Sequence, residues 1–173
     1  MKKSALFLSS ALTLGALTLG GLAPLSPVHA EGRPFIGSYE DRVAIEQLMW
    51  DYVRAADTLD EDAYAAVFTP DGAFNQVKGR DALKKMIADM DKSQTERRES
   101  GQLNGLMHHF MANQTIEFVN EDHARVHYYW QTVFAGRDLA NPPRLAAAGR
   151  GVDDVVRVDG KWLIQSRNVA PDY

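Results

Sequence analysis

The sequence predicts an α+β domain, with helices first and a long antiparallel sheet after them. Apolar side chains between residues 45 and 90 recur at helical spacing, and from residue 109 onward the period changes to two. No repeat or low-complexity segment breaks either half, so the helices are expected on one face of a curved sheet.

The elements follow in order. Lys2 and Lys3, an apolar run from Ala5 to Leu22, and "VHA" ending at Ala30 have the order of a secretory signal peptide. A membrane anchor is the rival, weakened by Gly15, Gly20, Gly21, Pro24 and Pro27. The expectation is cleavage after Ala30, export to a bacterial periplasm, and no membrane association once the leader is gone. The chain has no cysteine, which excludes lipoprotein attachment and disulfides. Residues 31–173 then form one domain, and a composition 45% hydrophobic and 24% charged suits one globular core.

Ser38 and Asp41 resemble a helix start, and Ile45, Leu48, Met49, Tyr52, Ala55 and Ala56 give a first amphipathic helix ending near Asp57. Thr58 and Glu61 read as a capping box for a short second helix through Phe68. "TPDG" at 69–72 reads as a turn and "AFNQV" as a short strand. Leu83, Met86, Ile87 and Met90 mark a third helix, and the polar residues 91–104 read as an exposed loop. "HFMANQTIEFV", "ARVHYYWQTVF", "GVDDVVRV" and "KWLIQSRNV" read as strands. "NEDH" and Asp159–Gly160 are hairpin turns, and residues 135–144 a loop.

Charge excludes one class of partner. The net charge of −4 becomes −6 once Lys2 and Lys3 leave, and no basic stripe remains, so nucleic acid is not an expected partner. A metal site is not expected either, because neighbouring strand histidines diverge and neither HxH nor HExxH spacing occurs.

Two places call for explanation. Asp57 puts a carboxylate at the negative end of a helix, an arrangement that costs a few tenths of a kcal/mol or more. It reads either as a solvated turn residue or as a carboxylate held in a cleft to orient a base. The second place is His108–His109, where a strand lets only one of the pair face the core. Parity groups His108 with Phe110, Ile116 and Phe118, which leaves the choice open unless a bulge shifts the register.

The ordered set "IEQLMWDYVRAADTLDEDAYAAVFTPDGAF", "GRDAL", "HHFMANQTIEF", "ARVHYYW" and "DGKWLIQSRNV" resembles the SnoaL-like branch of the nuclear-transport-factor-two-like superfamily, over Tyr39 to Val169. Within that branch it is most similar to cofactor-free lyases of the scytalone dehydratase, bile-acid dehydratase and hexachlorocyclohexane dehydrochlorinase type. The resemblance implies a cone, a strongly bent sheet wrapped around helices with a pocket inside. It also implies an Asp–His dyad falling on Asp57 and His109, since Asn113, Glu117 and Phe118 keep the matching spacing. Tyr52 and Arg167 fall on variable pocket positions of those relatives, with a core aromatic and a rim cation as the plain alternatives. His127 is a possible counterpart of a second pocket histidine, or a solvent-facing one.

An imidazole backed by an aspartate can remove a proton next to a carbonyl or from a hydroxyl without metal or cofactor. Tyr52 and Arg167 would stabilise developing charge. Elimination or retro-aldol cleavage of a small cyclic or aromatic substrate is the expected chemistry, with Phe110, Tyr129, Trp130 and His127 among the pocket residues. The other readings are a non-catalytic binding or assembly domain and an isomerase. A homo-oligomer, dimer or trimer, is expected.

Overall fold

The computed structural model describes residues 35–103, 105–136 and 138–171, so the expected leader lies outside the described residues. Three helices, α1 (Tyr39–Thr58), α2 (Glu61–Ala66) and α3 (Arg80–Glu99), precede most of the sheet. The strands are β1 (Phe68–Phe74), β2 (Val77–Lys78), β3 (Met107–Asn120), β4 (His123–Phe134), β5 (Arg144–Val158) and β6 (Lys161–Asn168). They form one curved, unclosed sheet in the order β2-β1-β6-β5-β4-β3.

The α+β expectation holds, with one difference: the sheet is mixed, because β1 runs parallel to β6 while the other neighbours are antiparallel. Between β1 and β6 the chain runs through β2, α3 and β3 to β5, so this parallel pair is joined by a long crossover, whereas β1 and β2 form a hairpin. Ile45, Leu48, Met49 and Tyr52 of α1 and Leu83 and Ile87 of α3 pack with Phe68, Val126, Val155 and Ile164 of the sheet. At roughly 1.5–3 kcal/mol for each fully buried large apolar side chain, this shared core dominates the favourable side of folding.

Four local expectations are corrected. "TPDG" is not a turn but the middle of β1. Its glycine is needed there, since a Cβ on Gly72 would stand 2.8 Å from the Ile164 carbonyl oxygen of the neighbouring strand. Thr58 does not cap α2; it ends α1, and Asp60 caps α2 by accepting the Ala63 N–H at 2.9 Å. Phe68 belongs to β1, not to the second helix. Residues 91–99 are helix, not loop, because a polar face supported by buried Gln94 and by Arg97 and Arg98 in the last turn continues α3.

Two bulges decide which side chains face the helices. On β3, Ala112 pairs with Tyr129 but Thr115 pairs with His127, so Asn113 and Gln114 together oppose one residue of β4. Asn113 takes the left-handed conformation, φ 51°. Before the bulge Met107, His109 and Met111 point inward; after it Ile116 and Phe118 do. On β6, Ile164 pairs with Val155 and Ser166 with Asp154, which gives Gln165 no opposite number. Inward parity therefore passes from Trp162 and Ile164 to Arg167. At the Asp159–Gly160 turn both residues have positive φ, 50° and 77°, as a type I′ hairpin requires.

Candidate active site

The C-terminal turn of α1 presents Asp57 to the start of β3. Leu59 closes the helix in the left-handed conformation, φ 55°, and no basic residue occupies the last turn. Cationic or N–H partners must therefore come from elsewhere, and β3 supplies them. One oxygen of Asp57, Oδ1, accepts the backbone N–H of His109 at 2.9 Å and lies 2.7 Å from its ring Nδ1. His108 turns outward; its Nδ1 stands 4.0 Å from the other carboxylate oxygen, beyond hydrogen-bonding distance. The carboxylate can only accept, so the neutral ring carries its proton on Nδ1 and keeps a lone pair on Nε2.

His109 lines a cavity of about 250 Å³ between the helices and the sheet, and Asp57 stands behind it, off the lining. Three methionines (Met90, Met107, Met111), Phe74, Trp130 and Val169 make most of the wall. Its polar members are few: His109, Arg167 and the hydroxyl-bearing Tyr52 and Thr132.

Arg167 is 3% exposed and is neutralised at once, because its Nη1 contacts the carboxylate of Asp153, itself 0% exposed. Tyr128 donates its hydroxyl to the same carboxylate at 2.7 Å. The guanidinium lies between two aromatic faces, 3.7 Å from the Tyr52 ring centroid and 4.6 Å from that of Tyr128. Its Nη2 rests 3.4 Å from the Met111 sulfur, a weak acceptor, and its Nε has no hydrogen-bond partner among the described residues. Burial pushes the Asp153 carboxyl up to about 6, against the opposing pull of Arg167 and Tyr128. Burial likewise raises the Tyr64 hydroxyl, 3.5 Å from that of Tyr52, far above its ordinary value.

Glycines on β5 make room for this arrangement. A Cβ on Gly151 would stand 2.3 Å from the Tyr128 ring and one on Gly149 2.9 Å from the Trp130 ring. Those are the register partners of the two glycines. Trp130 also ties the end of the chain to the wall, donating its indole N–H to the Val169 carbonyl at 2.9 Å.

Of the residues singled out from sequence, Asp57 and His109 come into contact, and Tyr52, Arg167 and Trp130 share the cavity with the histidine. Phe110, Tyr129 and His127 do not line it. Phe110 and Tyr129 are 55% and 51% exposed, and His127 faces Glu117 at 3.4 Å on the outer side. Asp153 carries little signal in the sequence: "VDDVV" looks like a strand with a polar outer face, and only inward parity with Val155 marks the first aspartate. The methionine wall carries little too, since Met107 and Met111 straddle a histidine whose direction was open.

The described residues thus combine an apolar cavity between helices and a bent sheet with a histidine at its wall and an aspartate behind that histidine. The chain belongs to the SnoaL-like domain family, whose pattern matches residues 37–168, within the nuclear-transport-factor-two-like superfamily. A Nostoc punctiforme protein of unknown function with a cystatin-like fold is similar at 26% identity and TM-score 0.61, over 78% of this chain and 93% of that one. A Novosphingobium aromaticivorans protein provisionally named scytalone dehydratase is similar at 26% identity and TM-score 0.55, over 75% and 82%. A Mycobacterium tuberculosis protein of unknown function shares the fold at 23% identity and TM-score 0.60, over 78% of each chain. No curated protein sequence matches the chain.

Proposed function

We propose that the protein is a cofactor-independent lyase acting on a small cyclic or aromatic molecule, with His109 as the base and Asp57 as its orienting partner. The observation that carries this reading is the double acceptance by Asp57 Oδ1 of the His109 backbone N–H and ring Nδ1. It fixes ring direction and tautomer together and leaves Nε2 as the free base at a cavity wall. A proton on the carbon next to a carbonyl passes to Nε2. Its electron pair forms the new double bond as the bond to the β-substituent breaks. When that substituent is hydroxyl, the imidazolium returns the proton and water leaves. Tyr52 and Arg167 would hold the oxygen that gains charge. The likeness to a protein provisionally named scytalone dehydratase is in keeping with this chemistry.

The test is a screen of the purified domain against hydroxylated alicyclic and aromatic ketones in heavy water. Turnover and exchange of the α-proton are followed by NMR, in wild type, His109→Ala and Asp57→Asn. Activity should persist with a chelator present. Full activity in both variants, or loss on chelation restored by metal, would reject the reading. Tight ligand binding by all three proteins without exchange or turnover would favour a binding domain. Export with cleavage after Ala30 is part of the same proposal, and intact-mass analysis of protein from its host checks it: a retained Met1 would contradict it.

A further inference from the structure

We infer that Asp153 makes the cavity selective for uncharged ligands: by occupying the Arg167 cation within the wall, it leaves the guanidinium able to serve a ligand's carbonyl oxygen while turning carboxylates away. The inference builds on the reading of this cavity as the ligand site and adds the class of molecule admitted.

Arg167 taken alone would suggest an acid-binding pocket, because a buried guanidinium is the usual partner of a carboxylate. Its charge is already spent. Asp153 is fully buried against Nη1, and Tyr128 holds that carboxylate from the other side, so the pair adds no net charge to the wall. An entering anion would lose its water in a space walled by methionine, aromatic and alanine side chains, and would meet Asp153 behind the only cation buried among the described residues. A neutral oxygen meets the opposite balance. It gives up far less solvation, and it finds an N–H donor at Nη2 whose present acceptor is the Met111 thioether at 3.4 Å. Displacing a thioether by a carbonyl improves that hydrogen bond without separating any charge. Size narrows the class further. A cavity of about 150 Å³ holds benzene, so the 250 Å³ here suits one or two rings with small substituents.

The experiment uses an isosteric pair, 2-naphthamide and 2-naphthoate, titrated into the purified domain at about pH 8, where carboxylic acids are ionised. The wild type should bind the amide at least about tenfold more tightly than the carboxylate. Asp153→Asn leaves Arg167 without its counter-charge, so that variant should prefer the carboxylate, and naphthoate should raise its melting temperature more than naphthamide does. If Asp153→Asn does not fold, the wild-type ratio still decides. Naphthoate binding to wild type as tightly as the amide overturns the inference, as does a cavity that takes neither probe. Equilibrium binding is the readout, so the lyase reading can fail through absent α-proton exchange while this selectivity stands, and the reverse.

Discussion

A single oxygen of Asp57 takes both the backbone N–H and the ring Nδ1 of His109, so the same atom that orients the imidazole also pins the start of β3 to the end of α1. Two donors from the strand offset the unfavourable meeting of a carboxylate with a helix C-terminus. The contact is therefore a joint between two elements.

Replacing Asp57 by Asn separates those roles. The amide oxygen can still accept the backbone N–H, so the fold should survive, with a stability loss of about 1–2 kcal/mol in denaturant unfolding. The orienting negative charge is lost, and kcat should fall by about 10²–10⁴. His109→Ala should fall at least as far, and the double variant should add little, because the two residues act as one unit.

Gly151→Ala should disturb the site from behind. The new methyl would meet the Tyr128 ring at 2.3 Å, and the ring cannot move without releasing Asp153. Destabilisation of about 1–3 kcal/mol is expected. Gly149→Ala, with a 2.9 Å approach to Trp130, should cost less. Thermal and denaturant unfolding of the two variants tests the order.

At Asn113 the backbone decides. Valine, β-branched, fits the left-handed conformation at φ 51° poorly, so Asn113→Val should destabilise by about 1–2 kcal/mol. Asn113→Gly should be nearly neutral in unfolding measurements. Equal effects of the two substitutions would mean that the side chain, not the backbone, matters here.

Acid sensitivity should come partly from Asp41. The Trp162 indole N–H, aided by Ser38 and Arg157, holds this carboxyl below its ordinary range. A lowered folded pKa contributes stability that is fully present above the unfolded value, about 3.9, and is lost as pH falls through the folded one. Asp41→Asn should therefore be less stable than wild type near neutrality, with the gap closing in acid.

How far the sequence could be read depends on what kind of information each feature holds. The helices of the first half and the strands of the second follow from spacing, because periods of 3.6 and 2 are written in single residues. The parallel β1–β6 pair could not be read so, since "TPDG" has turn chemistry locally and becomes strand only through a backbone contact with Ile164. For the same reason the polar end of α3 looked like a loop: its helical state rests on tertiary support at Gln94. Helix polarity and strand parity single out Asp57 and the His108–His109 pair, but only the resemblance joins Asp57 to His109. Asp153 was not legible, because its partner Arg167 comes from a strand whose inward parity changes partway along.

On β3 and β6, inside and outside are settled by odd and even counting, and each bulge adds one to the count. His109 and Arg167 both stand on one side of such an added residue, with core residues Phe118 and Ile164 on the other. Take one residue out at Asn113 or Gln165, and the apolar core can keep its alignment only by rotating the histidine or the arginine into solvent. Exchanging side chains nearby would have a graded effect; changing the number of residues would act as an on–off change. Insertions and deletions of a single codon, more than substitutions, are thus the events by which this cavity could exchange the polar groups at its wall without losing its fold.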